Sequence, residues 1–398
     1  MSSEQNSQPA RGTSHPGSSA PRTIMIMAGG TGGHIFPALA VAELLRARGW
    51  NVVWLGARRG MEAKLVPPLG YPMAWIRFSG VRGKGVLRLA LLPFDLLAAF
   101  WQSARAIFAH RPDVVLGMGG YVSFPGGMMA ALFNRPLAIH EQNSVAGLAN
   151  RVLALLSDRV LVAFPDPFAQ DERGDMPSEA GARVRNFSAF IPRPASLRLV
   201  GNPVRAEIAA LATPQARFAG RAGPLGLLVL GGSLGAQALN EVVPRALALL
   251  PQETRPAVMH QSGAAHVDTL RENYRRAGVQ AEVLPFIEDM AVQYARADLV
   301  LCRAGATTVA ELAAAGVAAV LVPYPHAVDD HQARNARYLS AQGAAVLIPQ
   351  EEFTPEKFAR LLGELDRSRL VAMAGAARAI GRPEAAHAVA EVCMELAA

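Results

Sequence analysis

The sequence predicts an α/β chain of two doubly wound domains, each a parallel sheet covered on both faces by helices. Three observations carry that reading. Residues 23–56 run as an apolar strand (TIMIMA), a glycine loop (GGTGG), a helix-patterned stretch (FPALAVAELLRARG) and a second strand (NVVWLG), which is one βαβ unit. Strand-like and helix-like stretches keep alternating downstream, the pattern of a parallel sheet. At residue 225 it restarts as LGLLVL, GGSLG and AQALNEVVPRALALLP, and the two glycine loops, at Gly29 and Gly231, lie 231 − 29 = 202 residues apart, a domain-sized period.

Along the first half, Gly49 stops the first helix, and DVVLG (113–117) reads as a strand entering a glycine turn and a helix over 123–133. PLAIHEQN (136–143) reads as a strand with a polar end and RVLVAF (159–164) as another. Residues 169–196 are charged and irregular and are expected as an inserted surface loop. After GNPVR (201–205), Pro214, Gly220, Gly223 and Pro224 suit a linker. The expected division is a disordered tail over 1–22, domains over 23–205 and 206–377, and a last helix over 378–398. In the stretch 86–108, Pro93 is expected as the first residue of a helix. Leu97, Phe100, Trp101 and Ala104 follow at three-to-four spacing, with Arg82, Lys84, Arg88 and Arg105 nearby; such a face either adheres to an anionic membrane surface or packs into a core.

With 51% hydrophobic and 18% charged residues, the 398-residue chain can bury large cores. Its +7 charge calls for an anionic partner without choosing among nucleic acid, anionic lipid and phosphorylated metabolites. Two cysteines, Cys302 and Cys393, are too few for a disulfide framework and lack zinc spacing, so a reducing compartment is the default. The polar, Ser- and Pro-rich start has no secretion signal, and the most apolar stretch, 86–99, is interrupted by Arg88, Pro93 and Asp95, so no membrane span is expected.

A glycine loop between strand and helix turns backbone N–H groups and the positive helix end toward an anion. AGGTGGH, GMGGYVS and GGSLG all stand at expected strand ends. The first lacks the lysine of a P-loop, has Ile35 where a dinucleotide fingerprint needs its third glycine, and is followed by a strand ending WLGARRG without an acid for a ribose. A nicotinamide enzyme is therefore a minor reading. In CRAGATTVAELAAAG, Gly305 opens a helix whose first turn offers the N–H groups of Ala306, Thr307 and Thr308, and Gly316 stops it. Glu311, one turn on, repels phosphate but accepts two hydroxyl hydrogen bonds, so a diphosphate at the helix start with a ribose against Glu311 suits a nucleotide sugar; the bland alternative is a carboxylate that complements the helix dipole. Asp329 and Asp330 are adjacent, which suits a helix cap better than a chelate, so DDHQ offers His331 and Gln332 to a ligand and no metal is expected.

In order, AGGTGGHIFPALAVAELL, WLGARRGMEAKLVP, FSGVRGKG, PDVVLGMGGYVSFPGG, HEQNSVAGLANR, VGNPVR, LGGSLGAQALN, HQSG, FIEDMA, CRAGATTVAELAAAG and DDHQARNA resemble successive blocks of the bacterial peptidoglycan glycosyltransferase family that adds N-acetylglucosamine to lipid I. The resemblance runs from about residue 23 to the end. It implies a GT-B fold, two Rossmann-like domains facing a cleft, with the last helix returning to the first domain. It implies inverting transfer from UDP-N-acetylglucosamine to the 4-hydroxyl of N-acetylmuramoyl-pentapeptide on undecaprenyl diphosphate, at the cytoplasmic face of the inner membrane. The expected partners are those two substrates, an anionic membrane surface and other cell-wall synthesis proteins, with no cofactor and no nucleic acid.

By the same resemblance the donor is contacted at Thr31, Gly32, Gly33, Asn143, Arg205, Ser233, Ile287, Ala306, Thr307, Thr308, Val309, Ala310, Glu311 and Gln332. Ile287 would meet the uracil, Glu311 the ribose, Ser233 and the helix start at 306–308 the diphosphate, and Gln332 the sugar. The acceptor diphosphate would lie at the glycine loops of the first domain. His34, largely neutral near pH 7 with an ordinary pKa of about 6.5, is the leading candidate to take the acceptor's proton; capping its helix or binding a phosphate is the alternative. Glu141 is the second candidate. The sequence departs from the family at Leu234, where GGSLGA replaces the common GGSQGA, and in the length of 169–196 and of the tail. Two other classes remain: a UDP-sugar epimerase of similar shape, and a non-catalytic nucleotide-binding or membrane-scaffold protein.

Overall fold

The computed structural model describes residues 21–78, 86–169, 194, 197–232, 235–327 and 330–398, with the backbone alone for 86–90. The expected tail up to residue 20, nearly all of the 169–196 loop, Ser233, Leu234, Asp329, Arg82, Lys84 and the Arg88 side chain lie outside the described residues.

Apolar runs buried on both faces build two parallel sheets. The first contains β1 (Thr23–Met27), β2 (Asn51–Ala57), β3 (Met73–Ile76), β4 (Val114–Gly117), β5 (Leu137–Glu141), β6 (Arg159–Val162) and β7 (Arg198–Leu199), in the order β3-β2-β1-β4-β5-β6-β7. The second contains β8 (Gly226–Leu230), β9 (Ala257–Gln261), β10 (Glu282–Leu284), β11 (Leu299–Cys302), β12 (Ala319–Leu321) and β13 (Ala345–Leu347), in the order β10-β9-β8-β11-β12-β13. Strand periodicity divides each core in two. Ile24 and Ile26 enter one cluster and Met25 and Met27 the other, while Leu227 and Val229 separate likewise from Leu228 and Leu230.

In both sheets the order reverses beside the first strand, between β1 and β4 and between β8 and β11. Open α/β sheets hold ligands outside the strand ends at such points. The glycine turns occupy those ends. The last helix, Ala385–Leu396, crosses back: Val389, Ala390, Val392 and Cys393 share a core with Ile24 and Ile26, whereas the preceding helix, Arg367–Ile380, buries Leu370 and Met373 in the second domain.

One expectation is corrected. The helix expected to begin at Pro93 spans Val86–His110 with the proline inside it. Pro93 is solvent-exposed, so water can satisfy the carbonyl that loses its helical partner. The expected face is also divided: Ala99, Ser103 and Ile107 are buried, Phe100 packs near Phe124, and Leu91, Phe94, Leu97, Trp101 and Phe108 are all more than half exposed. This helix therefore has a buried stripe and an outward apolar one.

The glycines of the first domain answer mainly to the protein's own packing. A Cβ on Gly120 (φ +82°) would lie 2.1 Å from the Gly29 carbonyl oxygen, so the turns after β1 and β4 meet backbone to backbone. A Cβ on Gly32 would strike Phe36 at 2.9 Å, and one on Gly29 the Glu62 carboxylate at 2.7 Å. Gly120→Ala should therefore destabilise the first domain by on the order of 3 kcal/mol, combining left-handed strain with a backbone collision. Gly49→Ala, at φ +80° with no atom within 4 Å, should cost only about 1 kcal/mol. Urea midpoints at constant m-value check this, and equal shifts would contradict it.

Candidate active site in the interdomain cleft

The helix Ala306–Ala315 follows β11 directly; Gly305 precedes it in extended conformation with no side-chain cap, and Gly316 closes it at φ +64°. Its N-terminal N–H groups thus point out of the second sheet's switch point without a competing side chain. Opposite stands the first glycine turn. Thr307 Oγ1 donates to the Gly33 carbonyl at 3.2 Å, joining the two switch points. Asn202 Nδ2 reaches the Ala306 carbonyl at 3.4 Å, and buried Asn335 accepts from the Ser144 N–H at 3.0 Å.

Arg205 and Glu311 also meet across this boundary, Nη2 to Oε1 at 3.2 Å, while the buried Tyr294 hydroxyl donates to Glu311 Oε2 at 3.1 Å. Burial pushes the Glu311 pKa up, and the Arg205 charge opposes that shift. The Arg205 guanidinium lies over the Phe36 ring, 5.7 Å from its centroid, in the first domain. Both oxygens of Glu311 therefore have protein partners.

His34 sits in the first helical turn after the glycine loop, partly exposed, with Nδ1 3.2 Å from Gln142 Oε1. Burial holds its pKa below 6.5, partly offset by that hydrogen bond, so the ring is neutral at pH 7. Glu141 is placed differently. Its carboxylate is buried and accepts from the Asn143 N–H at 2.9 Å, Asn143 Nδ2 at 3.3 Å, the Gly147 N–H at 3.3 Å and Asn150 Nδ2 at 2.8 Å. It organises its own loop.

The other expected residues divide. Gly33, Arg205, Ala306, Thr307 and Glu311 converge, with Thr31 and Gly32 on the adjoining turn and Thr308 and Ala310 on the opposed helix. Asn143 faces Glu141, Gln332 Oε1 accepts from the Tyr324 N–H at 3.0 Å, and Val309 is buried in the core. Ile287 is buried beside Phe286, which is 53% exposed. Asp330 occupies the N-cap of His331–Ser340 at φ +52° but makes no side-chain cap, which corrects the expectation for that residue. Among the described residues no cluster of three or more His, Cys, Asp or Glu side chains is placed to hold a metal ion.

Four buried residues here escaped sequence reasoning: Glu62, Gln142, Tyr294 and Asn335. Glu62 accepts from the Gly30 N–H and the Ala57 N–H, each at 3.0 Å, and from the Tyr121 hydroxyl at 3.4 Å. Burial and the neighbouring Glu62 carboxylate push the Tyr121 pKa up to about 12.

Residues 24–162 match the glycosyltransferase family 28 N-terminal domain, and residues 226–391 the glycosyltransferase family 28 C-terminal domain. The chain is 58% identical over 380 residues to the UDP-N-acetylglucosamine–N-acetylmuramyl-(pentapeptide) pyrophosphoryl-undecaprenol N-acetylglucosamine transferase of Ralstonia nicotianae, covering 95% of this chain and 97% of that one. The crystal structure of MurG from Acinetobacter baumannii matches with a TM-score of 0.77 at 40% identity, over 94% of this chain and 100% of that one. A UDP-GlcNAc 2-epimerase of Neisseria meningitidis matches at TM-score 0.60 with 11% identity, over 94% and 100% of the two chains, which is a likeness of fold alone and leaves the epimerase reading disfavoured. The chain belongs to glycosyltransferase family 28, with two parallel-sheet domains in the GT-B arrangement.

Proposed function

We propose that the chain transfers N-acetylglucosamine from UDP-N-acetylglucosamine to the 4-hydroxyl of N-acetylmuramoyl-pentapeptide on undecaprenyl diphosphate, converting lipid I to lipid II with inversion. The observation that carries this reading is the bond between Thr307 and Gly33, which sets an uncapped helix start against the turn that bears His34. The helix start takes the donor diphosphate. Arg205 turns from Glu311 to the same phosphates, and Glu311, still held by Tyr294, accepts the ribose hydroxyls. Ile287 and Phe286 bound the uracil, while Gln332 and Asn143 turn from their bonds with Tyr324 and Glu141 to meet the sugar. The acceptor hydroxyl attacks the anomeric carbon as the bond to UDP breaks, and its proton passes to His34. The leaving diphosphate gains its stabilisation from the helix dipole and Arg205.

The acceptor's lipid assigns a role to the outward stripe of Val86–His110. Leu91, Phe94, Leu97 and Trp101, with Leu132 on the next helix, insert into an anionic bilayer surface, and Arg105 lies beside Trp101 with its guanidinium 5.9 Å from the ring centroid. Among the described residues no helix is long and apolar enough to cross a membrane. Peripheral adhesion at the cytoplasmic face of the inner membrane is the matching location, and other cell-wall synthesis proteins are its natural neighbours there.

His34→Ala should lower kcat by about 10²- to 10⁴-fold while UDP-N-acetylglucosamine still binds, measured by label transfer to a lipid I analogue and by calorimetry. Near-normal turnover would remove His34 as the base. For the wild type, the acid limb of the kcat profile should fall below pH 6.5, because burial favours the neutral ring; an inflection above that value would contradict the assignment. In flotation assays, Leu97→Asp combined with Trp101→Asp should abolish binding to vesicles containing anionic lipid without changing donor binding. Undiminished flotation would place the membrane face elsewhere.

A further inference from the structure

A neutral imidazole carries one N–H and one lone pair, and a base needs the lone pair on the nitrogen facing its substrate. The surroundings of His34 decide which nitrogen that is. Gln142 is 1% exposed, and its Nε2 donates to the Met118 carbonyl at 2.7 Å. A carbonyl only accepts, so the amide NH2 must face Met118 and Oε1 must face His34. Oε1 also only accepts. Nδ1 of His34, 3.2 Å away, therefore holds the proton, and Nε2 keeps the lone pair.

The seat is rigid. The Met118 N–H donates to the Met27 carbonyl at 2.8 Å, and the Gln142 carbonyl accepts from Asn202 Nδ2 at 2.9 Å. At Gly119 (φ +89°) a Cβ would lie 2.6 Å from His34 Nδ1, so only glycine leaves room for the ring.

We propose that Gln142 is a positioning residue that fixes the tautomer of His34, keeping the proton on Nδ1 so that Nε2 receives the proton of the acceptor hydroxyl. The proposal rests on the reading of His34 as the base. When Nε2 takes that proton the ring becomes an imidazolium, and the bond from Nδ1 to Gln142 becomes charge-assisted at the moment of transfer. Two titratable neighbours face the same ring: burial lowers the His140 pKa on β5 to about 4, and the coulombic influence of His331, at the start of the facing helix, adds to the lowering of the His34 pKa.

The test uses the full chain labelled with ¹⁵N-histidine, with two-bond proton–nitrogen NMR above the His34 titration. His34 signals are assigned by their loss in His34→Ala. Wild type should show the Nδ1–H form. Gln142→Met, which fills similar space without an acceptor amide, should move His34 toward the Nε2–H form that free histidine favours and lower kcat about 10- to 100-fold, with donor KM within about twofold. Gln142→Glu keeps an acceptor at Nδ1 in either ionisation state, so it should restore the tautomer and most of kcat. A wild-type Nε2–H pattern, or a Gln142→Met protein with unchanged tautomer and kcat, overturns the proposal. Near-normal turnover of His34→Ala would overturn the base reading, while the NMR pattern still decides whether Gln142 sets the tautomer.

Discussion

The cleft depends on how two sheet ends meet: a helix start in one domain lies one hydrogen bond from a glycine turn in the other, through Thr307 and Gly33. Parallel strands deliver their loops to one edge, and the two switch points put anion-seeking backbone on both sides of the cleft. The charge that develops on a departing diphosphate can then be met by oriented dipoles that need no rearrangement at the moment of reaction. A nucleotide sugar and a phosphorylated acceptor suit such a cleft.

Within that frame, buried carboxylates have separate roles set by their neighbours. Glu141 is surrounded by four donors and holds its loop, whereas Glu311 shares its oxygens between Arg205 and Tyr294. The Arg205 pair ties Glu311 to the other domain, and an anion at the helix start would compete with Glu311 for the arginine. Glu62 occupies the underside of the glycine turn after β1. It already engages the Gly30 N–H, so a phosphate at this turn would have to use other groups or displace a buried carboxylate.

Both sheets, the glycine turns at their strand ends and the stops at Gly49 and Gly316 were legible because they follow from local rules of strand period and left-handed backbone. The helix starting at Ala306, and the Thr307 and Glu311 positions on it, were equally local. What escaped was tertiary. Glu62, in the run GMEAKLV, has no spacing that predicts a carboxylate beneath a glycine turn 32 residues earlier in the chain. Sequence reading favoured ligands for the glycines over a tight turn needing none, while Gly29 and Gly120 serve the contact of one turn with another. Gln142 stood beside the quoted Glu141 and Asn143, yet its role emerges only when Met118 and His34 come into view. Pro93 misled because its preference for a helix start is statistical, and an exposed helix tolerates it inside.

A crystal structure of the chain with UDP-N-acetylglucosamine and a lipid I analogue is the most direct measurement. The donor diphosphate should lie on the N–H groups of residues 306–308, with Arg205 swung from Glu311 onto the phosphates and the acceptor hydroxyl between the anomeric carbon and His34 Nε2. A donor diphosphate bound instead on the turns after β1 and β4, with the Arg205–Glu311 pair intact, would contradict this placement.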